Sequence, residues 1–351
     1  KSDNSFVLKS KYVKKGWILK TYEIAIQFII DNFSLESEKT VLIATSDLAS
    51  SFIDKNYDNL INNFLFPNCN ISGEMNKIMN KEVMNLIALK SGFNVAKTWL
   101  VDKYSDTSEF DYPCITKPLN SINGSKEDIR ICHNNLEIKR FINNIKENVK
   151  ILAQKYIEKE FEYQLIGCSI NGGNQIIIPG YTKIIRSSET TNTGFLQYLP
   201  INNLDYNHKA CEKFIKECQY SGLFSLEFIR GKDGLDYFLE INFRNDGNAY
   251  VVTAAGVNLP YIWVKSSTGH RFDDEVKKEI RTIFLMPELV DIFQVLSAKI
   301  SILEWIKDIL RTDSFLYYNR KDKKPFIYES FRIFKFLFKK LPKYIVNKGI
   351  R

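Results

Sequence analysis

Long apolar runs, histidines and paired cysteines are all scarce in this chain, and each shortage removes a class of function. No hydrophobic stretch approaches the roughly 20 residues that a spanning helix needs. No signal-peptide pattern opens the sequence; it begins at Lys1 rather than at methionine, which leaves open whether the N-terminus is truncated. The 3 histidines, His133, His208 and His270, are scattered and make no ligand spacing with cysteine, which argues against structural zinc. The 6 cysteines (Cys69, Cys114, Cys132, Cys168, Cys211, Cys218) include no CxxC pair. Buried reduced thiols are expected, and with them a cytoplasmic protein. No Ser-His-Asp or Cys-His constellation is visible, and no glycine spacing makes a Walker A loop of Gly124-Ser125-Lys126.

What remains is an ordinary globular composition, 44% hydrophobic and 26% charged over 351 residues, with material for two or three domains. The net charge is +8, but 41 acidic residues are interspersed with 49 basic ones and no aromatic–basic recognition motif appears. Nucleic acid is therefore not an expected partner.

Helical spacing covers 17–33. Lys39–Ser46 reads as a buried strand, and a helix capped by Asp47 follows to about Asn63. A further helix over 75–91 ends at Gly92. Strand-like runs then appear at 95–101, 113–118, 128–132, 150–157, 162–169, 175–185 and 194–199, before a helix at 207–220. The tail from about 285 reads as helical, interrupted at Pro325. The strand–helix alternation near the N-terminus predicts an α/β domain.

Gly222–Arg244, GLFSLEFIRGKDGLDYFLEINFR, carries the chemistry. Both arms alternate around the turn Gly231-Lys232-Asp233-Gly234, which reads as a β-hairpin. Leu226, Phe228, Tyr237, Leu239, Ile241 and Phe243 form the apolar row, so Glu227, Glu240, Asn242 and Arg244 share the other face. A loop symmetric about Asp233–Gly234 sets Glu227 directly opposite Glu240. Two carboxylates about 5 Å apart repel by roughly 3 kcal/mol at an effective dielectric near 20. A good cross-strand pair returns only about 0.2–1 kcal/mol. A cation between them reverses the sign, and Glu, Glu and Asn are the hard oxygen donors that Mg²⁺ takes beside substrate phosphates. The plain alternative is a solvated polar face at a sheet edge.

Three weaker patterns point the same way. Lys117 closes the strand Cys114-Ile115-Thr116, and the loop after it (Asn120 to Lys126, with Ser125) can present ammonium and backbone donors to phosphate. Gln154-Lys155-Tyr156-Ile157, followed by Glu160 and Glu162, joins two strand-like runs and offers an adenine edge and ribose hydroxyls their partners. Lys183 and Arg186 follow Gly180 and can stabilise developing charge; each pattern also reads as a turn, a junction or a solvated basic edge.

The order of these pieces resembles the ATP-grasp superfamily over roughly residues 40 to 265. Through IATSD, KYIEKEFEYQLIG, TKIIR and LEINFR, the chain is most similar to carboxylate–amine ligases of the D-aspartate ligase kind. The resemblance implies an α/β (α+β) ATP-grasp fold: an N-terminal α/β pre-ATP-grasp domain (1–78), a small nucleotide-binding subdomain (79–155), a C-lobe with the Mg/phosphate site (156–270) and a helical extension (271–351). It also implies ATP with one or two Mg²⁺, or Mn²⁺ in their place. Lys81 and Lys117 would bind phosphates; Gln154, Lys155 and Ile157 would line the adenine pocket, with Glu162 on the ribose and Glu160 as its competitor. Glu227, Glu240 and Asn242 would ligate the metal, and Arg244 would meet the γ-phosphate, assisted by Lys183 or Arg186. Phe243 stands where the family commonly has proline, and Gln154 where glutamate is frequent. The expected activity is ADP-forming ligation of a small carboxylate to an amine through an acyl-phosphate, in cell-envelope or capsule precursor synthesis, with kinase or carboxylase chemistry or a non-catalytic nucleotide module as alternatives. The basic, aromatic segment 330–347 reads as a terminal helix packed on the body, with peripheral membrane docking as its alternative.

Overall fold

A computed structural model describes residues 5–35, 37–119, 129–145, 149–187 and 193–335. In chain order the strands are β1 (Thr40–Val41), β2 (Phe64–Leu65), β3 (Thr98–Val101), β4 (Cys114–Pro118), β5 (Arg130–Cys132), β6 (Ile151–Lys155), β7 (Lys159–Ile170), β8 (Gln175–Ile177), β9 (Gly180–Ser187), β10 (Gly194–Pro200), β11 (Gly222–Gly231), β12 (Asp236–Asn242), β13 (Ile283–Met286) and β14 (Ser314–Phe315). The chain divides into a larger unit, Ile26–Lys183 with Leu199–Arg281, and a smaller one of three segments, Lys1–Ala25, Ile184–Tyr198 and Thr282–Arg351.

The larger unit holds three sheets. β1 and β2 pair in parallel, Thr40 against Phe64, and cover a small core that includes Ile26, Leu60 and Phe66. The expected long helix after this strand is two pieces, Asp47–Lys55 and Tyr57–Leu60, and Ser46, not Asp47, caps the first by accepting from the Ala49 N–H. The helix expected over 75–91 likewise breaks, into Glu74–Ile78 and Lys81–Ser91. Asn80 starts the second piece by accepting from the Glu82 N–H, satisfying one of its orphan donors. Gly92 ends it at φ 102°, a left-handed position that glycine adopts without a Cβ penalty.

Next comes a four-stranded antiparallel sheet in the order β3-β6-β4-β5. The helix Asn135–Ile142, not anticipated from the sequence, packs Ile138 and Ile142 beneath it. The third sheet runs β12-β11-β7 and on to the first half of β9, with β8 paired to β7. One face of this sheet buries Phe224, Leu226 and Phe228 from β11, and Tyr163 and Leu165 from β7, against Met84, Ala88, Cys211 and Phe214 of two helices.

The hairpin of β11 and β12 pairs Glu227 with Glu240 as its symmetry predicts. The strict alternation of its second arm does not hold. Register shifts between Glu227 and Phe228, so Phe228 faces Phe238 and Leu239 is an extra residue in β12. Beyond this bulge the phase flips: Phe238, Ile241 and Phe243 enter the core, while Leu239 is only half-buried and Tyr237 pairs with Ile229 on the side of Glu227.

In the smaller unit β10 pairs with β13, and β13 with β14 in parallel, flanked by the helices Glu288–Leu296 and Ile302–Arg311. Strands therefore punctuate a tail expected to be all helix. Pro325 does not interrupt a helix there: it lies at the start of the helix 324–335, where its missing N–H costs nothing. Residues 336–347 of the segment weighed for membrane contact lie outside the described residues, as do Ser125 and Lys126. All 6 cysteines are buried free thiols. Among the described residues, no helix is long and apolar enough to cross a membrane.

Candidate active site

The polar face of the third sheet gathers the hairpin's charges. Gln164 on β7 stands opposite Glu227 in register and donates from Nε2 to its Oε1 at 2.9 Å. Asn242 Nδ2 donates to the same oxygen at 2.9 Å, and Asn248 Nδ2 donates to Gln164 Oε1 at 2.8 Å. Arg244 is buried and engaged on three sides: Nε to Asp47 Oδ1 at 2.7 Å, Nη1 to Asp246 Oδ2 at 3.0 Å and Nη2 to Asn242 Oδ1 at 3.1 Å. Asp47 comes from the start of the helix Asp47–Lys55, so the guanidinium ties the hairpin's end to the first α/β segment.

Two lysines arrive from other elements. Lys81 opens the helix Lys81–Ser91, where the macrodipole disfavours a cation, and its Nζ meets Glu240 at 3.1 Å. Lys117 reaches from β4 and donates to Gln154 Oε1 on β6 at 2.9 Å. Gln154 is in turn held by Thr98 Oγ1, to which its Nε2 donates at 3.2 Å. The neutral amide thus fixes the lysine without neutralising it, which a glutamate at this position would do.

Burial and neighbouring charge decide which of these groups lack compensation. Burial, then the charges of Glu240 and Asp246, push Glu227 up to about 8. Burial also pushes Glu240 upward, but the ammonium of Lys81 and the charges of Lys117 and Arg244 outweigh it, and the net shift is down. Lys117 is lowered to about 8 by burial and by the like charge of Lys81. Burial opposes the Arg244 charge, and Asp246 and Asp47 more than restore it. Two facing carboxylates that burial and mutual repulsion destabilise, beside an amide, are a donor set a hard divalent cation would relieve, displacing any proton they hold. Among the described residues, no group of three or more His, Cys, Asp or Glu could hold a metal ion, at the hairpin or elsewhere, so a cation here would rest on two carboxylates and an amide. Two glutamates and Asn242 could supply only part of a coordination shell, and a cation such as Mg²⁺ would take the remainder from phosphate oxygens and water.

The other residues named from the sequence divide. Tyr156–Glu158 is an irregular link between β6 and β7, with the Tyr156 N–H donating to Pro113 O at 2.9 Å and the Lys155 N–H to Lys97 O at 2.8 Å. Ile157 lies within this link, half-buried. Glu162 shares the Gln164 face of β7, pairs with Lys159 at 2.8 Å and contributes to the field on Lys117; Glu160 is exposed. Lys183 is placed otherwise than expected. It pairs with Tyr163 in register and its Nζ lies 4.6 Å from the Phe161 ring centroid, so it projects from the sheet face opposite Gln164 and Glu227. Thr182 occupies the matching position on the site's face, donating to Gln164 Oε1 at 3.5 Å. Arg186 belongs to the smaller unit, where Asp291 holds it bidentately at 2.7 and 3.1 Å and Asp308 accepts at 2.8 Å.

Sequence reasoning passed over Asp47, Gln164, Asp246 and Asn248. Gln164 was within reach, because strand alternation from Glu162 assigns it to the polar face. Asp246 and Asn248 lie past the hairpin, where no periodicity indicates direction.

Comparison with known proteins converges on the same architecture. A family described as "ATP-grasp in the biosynthetic pathway with Ter operon" matches residues 181–289. A crystal structure of L-amino acid ligase from Bacillus licheniformis superposes with TM-score 0.56 at 17% identity, over 76% of this chain and 66% of that one. Carboxyaminoimidazole ribonucleotide synthase from Aspergillus clavatus, complexed with ATP, gives TM-score 0.60 at 12% identity, over 81% and 73% of the two chains. A curated relative, the 2-oxoglutarate carboxylase small subunit of Hydrogenobacter thermophilus, is 29% identical over 158 residues, which is 39% of this chain and only 30% of that protein's length. The chain has the ATP-grasp fold.

Proposed function

We propose that this ATP-grasp chain is an ATP-dependent ligase that activates a small carboxylate as an acyl-phosphate and passes the acyl group to an amine. The observation that carries the reading is the convergence of Lys81, Glu227, Glu240, Asn242 and Arg244 at one end of the hairpin, with Lys117 and Gln154 leading to the Tyr156–Glu158 link.

The nucleotide sits with its adenine edge on the backbone of Lys155 and Ile157, its ribose at Glu162 and its phosphates between Lys81 and Lys117. Glu227, Glu240 and Asn242 would hold one or two Mg²⁺ (or Mn²⁺), which supply charge neutralisation on the phosphates. Attack by the substrate carboxylate on the γ-phosphorus forms the acyl-phosphate and releases ADP; the amine then displaces inorganic phosphate. Arg244 is aimed by Asp47 and Asp246 to meet the transferring phosphoryl oxygens. Little proton chemistry is asked of the protein, because phosphoryl transfer is driven by position and electrostatics.

Bicarbonate as the activated carboxylate is a second reading, favoured by the 2-oxoglutarate carboxylase relative. ADP release across a panel of amino acids and amino-sugars, with hydroxylamine as trap, separates the two. Hydroxamate formation with an organic carboxylate supports amide ligation, whereas ADP release dependent on bicarbonate, with labelled carbon fixed into the acceptor, replaces it. In either case Glu240→Gln should lower ADP formation by at least about a thousandfold while the circular dichroism spectrum is unchanged; full activity in that variant refutes the site. Substrates from cell-envelope or capsule precursors belong in the same panel.

A further inference from the structure

The smaller unit carries the chain's excess of positive charge. Its three segments hold 21 Lys and Arg against 10 Asp and Glu, a net +11, whereas the larger unit has 28 against 31, a net −3. Several of those acids are already engaged within the unit: Asp291 and Asp308 by Arg186, and Glu329 by Arg332. Glu288 is buried and accepts the Tyr318 N–H at 2.6 Å.

The helix Ile302–Arg311 lies within this positive unit. Its inner side puts Trp305 and Ile309 into an apolar cavity of about 310 Å³ with Leu289, Ile292, Phe315 and Phe326. One such face suffices to seat a helix. Yet at 100° per residue Ile302, Ile306, Leu310 and Leu303 form a second contiguous stripe, about 100° wide, next to the first. All four are exposed, Leu303 by 69% and Leu310 by 80%. Leu296, at the end of the neighbouring helix, is exposed as well, and Lys307 borders the stripe, whereas Arg311 is held by Asp308 at 2.8 Å and lies over the Phe195 and Phe284 rings. An apolar stripe edged by a lysine on a positively charged body is the chemistry of an interfacial helix. Nucleic acid would engage the cations but leave the leucines without a partner.

We propose that the smaller unit docks peripherally on an anionic bilayer, with Leu303, Ile306 and Leu310 entering the headgroup–acyl boundary and the surrounding lysines and arginines facing acidic lipid headgroups. The inference is independent of the ligase reading, since it concerns neither the nucleotide nor the hairpin.

Co-sedimentation of the full chain with phosphatidylcholine vesicles, with and without phosphatidylserine, tests it. Binding is expected only with phosphatidylserine, falling as salt rises. The double variant Leu303→Ser with Leu310→Ser should bind at least about tenfold more weakly, while Leu136→Ser, an equally exposed leucine of the larger unit, binds as the parent does. Because both stripe positions are exposed, the variants should fold, and circular dichroism reports this directly. A parent that stays in the supernatant with anionic vesicles overturns the proposal, as does undiminished binding by the double variant. So does a concentration-dependent dimer, seen by sedimentation velocity, that the double variant abolishes, since a second copy would then cover the stripe.

Discussion

Burial and the like charge of Lys81 bring the Lys117 ammonium down to about 8 from its ordinary 10.5, with only the neutral Gln154 amide to receive it. The unfolded chain keeps this proton up to 10.5. Between about 8 and 10.5 the native chain therefore binds fewer protons than the unfolded one, and stability from this group rises with pH across that window. A phosphate beside Lys117 restores the charge. Binding of nucleotide without divalent metal, which leaves the Glu227 proton in place, should then take up most of one proton at pH 8.5 and almost none at pH 6.5. Titration calorimetry in two buffers of different ionisation enthalpy measures the uptake, which Lys117→Met should remove; equal uptake in that variant places the proton elsewhere. The lysine's position at a strand end is legible in Cys114-Ile115-Thr116-Lys117, but its partner is not, because nothing in the sequence says that β6 lies beside β4 with Gln154 at that register.

At the scale of the hairpin, alternation located the acidic pair and misplaced part of the apolar row. Glu227 and Glu240 pair as symmetry about the turn requires, yet the bulge at Leu239 reverses the phase toward the turn. Bulges carry no composition signal of their own: Tyr237, Phe238 and Leu239 are all large and apolar, so either phase satisfies the pattern. Packing decides between them, with Phe238 stacked on Phe93 at 5.4 Å between ring centroids and edge-on to Phe228. Phe238→Ala should accordingly cost about 3–5 kcal/mol and Leu239→Ala clearly less, where strict alternation predicts the reverse order. Urea denaturation of the two variants distinguishes them. The broken helices at Asn56 and Met79–Asn80 were hidden for a related reason, since Asn80 is as acceptable inside a weak helical pattern as it is at a cap.

On the scale of the whole molecule, the smaller unit is assembled from three separated stretches of chain, and no local signal joins them. Arg186 reads in the sequence as one of two cations placed for phosphoryl transfer. In the fold it links β9 to the helices Glu288–Leu296 and Ile302–Arg311 by pairing with Asp291 and Asp308, all three side chains being largely withdrawn from water. Removing the guanidinium leaves Asp291 without a cation and Asp308 with Arg311 alone, at 2.8 Å, a loss of about 3–5 kcal/mol. Arg186→Met should therefore destabilise the chain by that order, and adding Asp291→Asn and Asp308→Asn should recover much of the loss, because the triple variant no longer buries unpaired charge. A residue acting in phosphoryl transfer alone would behave differently, with catalysis falling at unchanged stability and no recovery from the two asparagines. Thermal denaturation of the single and triple variants, alongside ADP release under saturating substrate, separates an ion triad that organises the fold from a cation that acts on the γ-phosphate.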